Sequence, residues 1–93
     1  MKISVITPTY NSGKTIEQNV KSLLEQNYKN FEQIIIDNLS NDGTLIKIEQ
    51  LYKNAGRIDK LRVLSEKDNG IAEAFNKGIK TANGEIIGIL NSD

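Results

Sequence analysis

Four short apolar runs rich in β-branched residues, Ile3–Thr7, Gln33–Asp37, Leu61–Ser65 and Glu85–Leu90, alternate along the chain with three amphipathic stretches. Each run has the length and composition of a strand. In two of them the apolar residues are continuous, Ile34-Ile35-Ile36 and Ile86-Ile87-Gly88-Ile89-Leu90, as in strands covered on both faces of a parallel sheet. The second and fourth strands are therefore expected to be central in the complete fold. The stretches between the runs have helical spacing. Ile16, Val20, Leu23 and Leu24 share one face behind Ser12 as a cap, and Leu45, Ile48, Leu51 and Tyr52 follow the cap candidates Asn41 and Asp42. A third stripe, Ile71, Phe75, Ile79 and Ala82, is closed by Asn83-Gly84 as a left-handed stop.

The resulting β-α-β-α-β-α-β order predicts an α/β fold in three layers, with a mainly parallel sheet and helices on both faces. Ligands on such sheets bind beyond the carboxyl ends of the strands, near the point where strand order reverses. The residues placed there are Thr7-Pro8-Thr9-Tyr10-Asn11, Asp37-Asn38, Ser65 to Asn69, and Asn91-Ser92-Asp93. A carboxylate is costly to bury alone, so Asp37 is expected at the rim with a partner, either a ligand group or its own turn. Asp93 ends a second apolar strand at the same edge. One such carboxylate, with substrate phosphates and water, is enough for Mg²⁺, although a solvated turn is the plainer reading of a strand-end Asp. Asn69-Gly70 opens the third helix, whose first amides favour an anion nearby.

Composition narrows the chemistry. The 93 residues fit one small domain, and 12 basic residues balance 12 acidic ones, so no broad field draws the chain to nucleic acid or an anionic membrane. The absence of cysteine and histidine excludes disulfide frameworks, thiolate zinc sites and Cys or His nucleophiles and bases. No stretch reaches the roughly 20 apolar residues of a membrane span, and the start is too weakly apolar for a signal peptide, so a cytoplasmic location is expected. Neither a G-x-G-x-x-G after the first strand nor a G-x-x-x-x-G-K-[ST] occurs, which sets aside the dinucleotide and P-loop readings. A receiver domain would need an acidic cluster where Thr7-Pro8-Thr9-Tyr10 stands.

Four segments carry a family resemblance. Ile3-Ser4-Val5-Ile6-Thr7-Pro8-Thr9-Tyr10-Asn11 resembles the opening of family 2 glycosyltransferases, and Asp37-Asn38-Leu39-Ser40-Asn41-Asp42-Gly43-Thr44 resembles their D-[DN]-G-S-x-D-G-T turn. The segment from Ser65-Glu66-Lys67-Asp68-Asn69-Gly70-Ile71 through Phe75-Asn76-Lys77-Gly78-Ile79 is similar to the helix before their metal motif, and Asn91-Ser92-Asp93 is similar to the start of that motif. The resemblance covers the whole chain. It implies a GT-A, Rossmann-like fold, of which residues 1–93 are a partial domain, the N-terminal nucleotide-sugar-binding half.

The implied roles follow residue by residue. Thr7, Pro8, Thr9 and Tyr10 line the nucleoside pocket, and Asp37 binds the base, commonly uracil in this family. Asn69 and Gly70 border the diphosphate and sugar, Lys67 approaches the nucleotide, and Asp93 faces the ribose or a Mg or Mn cation. Asp42, Gly43 and Thr44 shape the second helix. The implied reaction is inverting transfer from a nucleotide-diphosphate sugar, with a UDP-sugar as donor, to a carbohydrate or lipid-linked acceptor in polysaccharide or glycoconjugate synthesis. The general base is expected beyond Asp93, so this part is expected to be catalytically incomplete. The full-length protein is expected to be peripheral at the inner membrane. The edge Glu85–Leu90 is expected to self-associate, since the strands flanking it in the family come later in the chain. The pattern is broken twice: Leu39 stands where glycine is common, and Asn91 where the D-x-D pattern begins with Asp. The alternatives are a non-catalytic nucleotide-binding module and a purely structural α/β domain.

Overall fold

The computed structural model describes residues 1–26 and 29–90. Its strands are β1 (Ile3–Thr9), β2 (Phe31–Asp37), β3 (Leu61–Ser65) and β4 (Ile86–Ile89), and its helices are α1 (Ile16–Leu24), α2 (Thr44–Asn54) and α3 (Ile71–Thr81). A 3-10 turn, Ile58–Lys60, precedes β3. All three strand pairings are parallel, in the order β3-β2-β1-β4. Strand order therefore reverses at β1, and the crevice such a reversal creates lies at the carboxyl ends of β1 and β4.

Alternation along β2 distributes its isoleucines to two cores. Ile35 packs with Ile16 and Val20 of α1 and Ile48 and Tyr52 of α2. Ile34 and Ile36 join Ile6 and Ala74 of α3 on the opposite face. The three layers are thus α1 and α2, the sheet, and α3. All seven residues of β2 are buried, which makes it a central strand as its continuous apolar run predicts. Buried Gln33 is satisfied from three sides: its Nε2 donates to Thr7 Oγ1 at 2.9 Å and Asn19 Oδ1 at 3.1 Å, and Tyr52 donates its hydroxyl to Gln33 Oε1 at 2.7 Å. Burial pushes the Tyr52 phenol well above its ordinary range.

Among the described residues β2 and β1 are the interior strands and β4 lies outermost beside β1. Three sequence expectations are corrected. Helix α1 is capped at Thr15 rather than Ser12, whose carbonyl accepts the amides of Thr15 and Ile16. Gly84 is absent from the positive-φ residues and makes no left-handed stop. It is a close-approach glycine instead, since a Cβ there would lie 2.5 Å from Ser4 Oγ and 2.7 Å from the Ser4 nitrogen. Ile79 is 52% exposed, because α3 meets the sheet most closely through small residues, with Phe75 and Ala82 packing beside them. Ala74 is buried, and a Cβ on Gly78 would meet Ile6 at 2.5 Å, so the helix sits too close for a larger side chain.

A second buried carboxylate closes the amino end of the sheet. Glu32 Oε2 accepts Ser4 Oγ at 2.5 Å and the Asn83 amide at 2.8 Å, while Ser4 Oγ accepts the Gly84 amide at 2.7 Å. Lys2 and Arg62 each stand 3.7 Å from Glu32 Oε1. Burial alone would raise the Glu32 carboxyl; those hydrogen bonds and the two cations outweigh it and hold the group below its ordinary value. Among the described residues no helix is long and apolar enough to cross a membrane.

Candidate functional site

The last residues of three strands, Thr9, Asp37 and Ser65, stand in register across the carboxyl edge. Asp37 is fully buried between them. Its Oδ1 accepts Thr9 Oγ1 at 2.6 Å and Ser40 Oγ at 2.5 Å. Its Oδ2 accepts the Ser40 amide at 2.8 Å and Ser65 Oγ at 2.9 Å. A carboxylate offers about four lone-pair positions, so these donors fill it. Asp37 thus lies beneath the edge and not at the rim, and its partners include its own turn, through Ser40: three hydroxyls and an amide replace the water lost on burial.

Around this carboxylate the strand-end loops hold one another. The Asn38 amide donates to the Thr9 carbonyl at 3.0 Å, and the Glu66 amide to the Asp37 carbonyl at 2.9 Å. The Asn11 amide donates to Ser40 Oγ at 2.8 Å, and the Asn41 amide to Asn11 Oδ1 at 2.9 Å. The Asp68 amide donates to Asn38 Oδ1 at 3.0 Å, which brings the β3–α3 loop into the same assembly. Lys77 braces that loop from α3, its Nζ 3.1 Å from Glu66 Oε1, 3.4 Å from Glu73 Oε1 and 3.0 Å from the Lys67 carbonyl. Burial would lower the Lys77 ammonium, but the two carboxylates prevail and raise it. Asp42 seats α2 by accepting the Thr44 amide at 3.1 Å and the Thr44 hydroxyl, and its other oxygen accepts the Gly13 amide at 3.1 Å. The Thr44 hydrogen bond is the chief reason its carboxyl lies below the ordinary value.

The candidate residues divide accordingly. Thr9 and Asp37 end β1 and β2, Tyr10, Lys67, Asn69 and Gly70 belong to the joined loops, and Pro8 lies half-buried in β1 just behind them. Thr7 does not reach this surface: it is buried, with its hydroxyl accepting Gln33. Tyr10 presents its side chain openly, at 62% exposure. Lys67, Asn69 and Gly70 are exposed, but the Asn69 amide donates to Glu73 Oε2 at 3.1 Å and the Gly70 amide to Asp68 Oδ1 at 3.2 Å. Asp93, the metal candidate, lies outside the described residues with Asn91 and Ser92. Among the described residues no group of three or more His, Cys, Asp or Glu side chains could hold a metal ion. Sequence reasoning named no role for Ser40, Ser65 or Asn11. For Ser65 the legible signal is a hydroxyl at the final position of β3, as Thr9 is for β1; Ser40 and Asn11 lie in the loops and carry none.

A parallel sheet in the order β3-β2-β1-β4, with its polar loops gathered at the carboxyl edge, is a Rossmann-like arrangement. The chain belongs to glycosyl transferase family 2, whose model matches residues 4–93. It is 41% identical over 91 residues to the putative teichuronic acid biosynthesis glycosyltransferase TuaG of Bacillus subtilis, covering 98% of this chain and 35% of that protein. Among solved structures, S. aureus TarS 1–349 in complex with UDP superimposes with a TM-score of 0.88 at 37% identity, covering 100% of this chain and 28% of that one. The mannosyltransferase PcManGT of Pyrobaculum calidifontis, in complex with GDP-Man and Mn²⁺, gives 0.89 at 31% identity, with 98% and 27% covered. The chain therefore spans about a third or less of the length of these relatives.

Proposed function

We propose that the carboxyl edge of this sheet binds the nucleotide of a sugar donor, and that the chain is the donor half of an inverting glycosyltransferase. The observation that carries this reading is the in-register row Thr9, Asp37 and Ser65, which fastens three strand-end loops into one polar surface. Preorganised loops of this kind reduce the ordering cost of binding. In this reading Tyr10 packs on the base, and Asp37 acts as a positioning residue, holding the loops that meet the nucleoside. Lys67, Asn69 and Gly70 face the diphosphate and sugar. UDP is the nucleotide favoured, given the greater identity to TarS than to PcManGT.

Asp93 would hold a Mg²⁺ or Mn²⁺ ion, which when bound supplies charge neutralisation at the departing diphosphate. An acceptor hydroxyl, on a carbohydrate or lipid-linked substrate, attacks the anomeric carbon from the face opposite the leaving group and inverts it. A general base must take that hydroxyl proton within hydrogen-bond reach. By the family resemblance this base comes from the later, acceptor-binding half, and we assign it there. These residues alone then bind donor without transferring sugar, as a nucleotide-binding module would. We place the full enzyme in the cytoplasm, peripheral to the inner membrane, in polysaccharide or glycoconjugate synthesis.

Calorimetric titration of UDP with Mg²⁺ tests the reading. Wild-type chain is expected to bind, and Tyr10→Ala to bind about tenfold more weakly, the scale of one lost stacking contact. Equal binding by the two proteins would sink it. A second proposal concerns assembly. Ile86, Ile87 and Ile89 of edge strand β4 are all exposed, and uncharged apolar edges pair with other chains, so the chain is expected to self-associate there. Sedimentation should show Ile87→Lys converting the assembly to monomer; a wild-type monomer at high concentration would refute it.

A further inference from the structure

Two non-glycine residues have left-handed backbone, Asn11 at φ 46° and Leu39 at φ 54°. Asparagine tolerates this region, and Asn11 uses the conformation to receive the Asn41 amide. Leucine gains no such hydrogen bond, and its Cβ makes the conformation costly. Nor does the core repay it, because Leu39 is 56% exposed. The conformation is imposed from both sides: Asn38 holds the Asp68 amide, and Ser40 holds Asp37 through its amide and hydroxyl. An exposed apolar side chain is thus carried on strained, over-determined backbone at the carboxyl edge, a combination that clusters at ligand-binding sites. Tyr10, 62% exposed, leaves the same edge. Each of the two residues adjoins one member of the hydrogen-bonded pair Asn11 and Ser40.

We propose that Leu39 is a specificity-determining contact, an apolar wall that meets the base and ribose of the bound nucleotide alongside Tyr10. This rests on the donor-site reading above. Uracil and the ribose carbons supply the flat and partly apolar surface such a wall can cover, whereas a diphosphate supplies none.

The test is titration of UDP and of inorganic pyrophosphate, each with Mg²⁺, into the full wild-type chain and into Leu39→Asn, Leu39→Gly and Leu39→Met, together with thermal melting of each. Leu39→Asn relieves the backbone without adding flexibility and is expected to melt a few degrees higher while binding UDP roughly tenfold more weakly. Leu39→Gly should weaken UDP similarly, and Leu39→Met, which keeps an apolar side chain, should stay within about twofold of wild type. Pyrophosphate binding should be unchanged in all three. Full UDP affinity in Leu39→Asn overturns the inference, as does equal weakening of UDP and pyrophosphate. Failure of the wild type itself to bind UDP overturns the donor-site reading and this inference with it; the wild-type titration alone decides that case.

Discussion

Strand β2 carries a buried carboxylate at each end of the sheet, and the two are held in opposite ways. Glu32, at the amino end, is flanked by the cations Lys2 and Arg62 and bonded to Ser4 and the Asn83 amide. Asp37, at the carboxyl end, is bonded to three hydroxyls and an amide, and among the described residues it has no ion pair. Glu32 fastens segments whose chain positions are far apart, β1 and the turn into β4. Asp37 fastens the loops that carry Tyr10, Leu39 and Lys67 to Gly70. A charge balanced by cations serves stability at one end; a charge balanced only by dipoles shapes a polar surface at the other.

The largest expected effect of breaking this contrast is at Asp37. Asp37→Ala leaves Thr9 Oγ1, the Ser40 amide and two serine hydroxyls without their acceptor, at a cost of about 2–4 kcal/mol. Since small domains hold only about 5–15 kcal/mol in all, urea denaturation should show a large loss of stability, and UDP binding should vanish with it. Asp37→Asn keeps one carbonyl acceptor and should fall between wild type and alanine in both measurements.

Glu32→Gln comes next, with a loss of about 1–3 kcal/mol as its cationic neighbours lose their counter-charge. Here UDP affinity of the folded protein should be unchanged, which separates the two ends functionally. The pH dependence sharpens the point. The Glu32 carboxyl is held below its ordinary value of 4.5, so its stabilisation is fully present above that value and is lost as pH falls through the lower folded value. Acid titration of wild type should show that loss, and Glu32→Gln should lack this component. An identical acid profile in the two proteins would refute the assignment of Glu32.

The smallest effect is expected at Ser65→Ala, one hydroxyl of the four donors to Asp37, at about 0.5–1.5 kcal/mol by denaturation. A loss as large as that of Asp37→Ala would mean that the donors do not share the carboxylate.

The element order was legible in the sequence because each strand and helix announces its own period: Ile34-Ile35-Ile36 reads as a two-sided strand, and Ile16, Val20 and Leu24 as a helix face. The site was legible to the level of the strand ends, where Thr9, Tyr10 and Asp37 were named and found together. What the sequence hid depends on close approach between distant segments. Gly84 reads as a helix stop, yet it is required by contact with Ser4, 80 residues away. Ile79 fits a helical apolar stripe, but Gly78 and Ala74 bring α3 so near the sheet that Ile79 is left exposed while Phe75 and Ala82 pack against the core. Thr7 was grouped with its neighbours in sequence, while strand alternation turns its hydroxyl to Gln33. The burial of Asp37 is hidden because its four donors come from three separate segments, through Thr9, Ser40 and Ser65, and no one of them predicts it.

The division of labour between the two ends is tested most directly by following backbone amide resonances of the chain during titration with UDP and Mg²⁺. Progressive shifts are predicted at Tyr10, Asn38, Leu39, Asn69 and Gly70, with Lys2, Asn83 and Gly84 at the Glu32 end unmoved. Shifts centred on the Glu32 end, or none at the strand-end loops at saturating nucleotide, would contradict the assignment of the carboxyl edge as the nucleotide site.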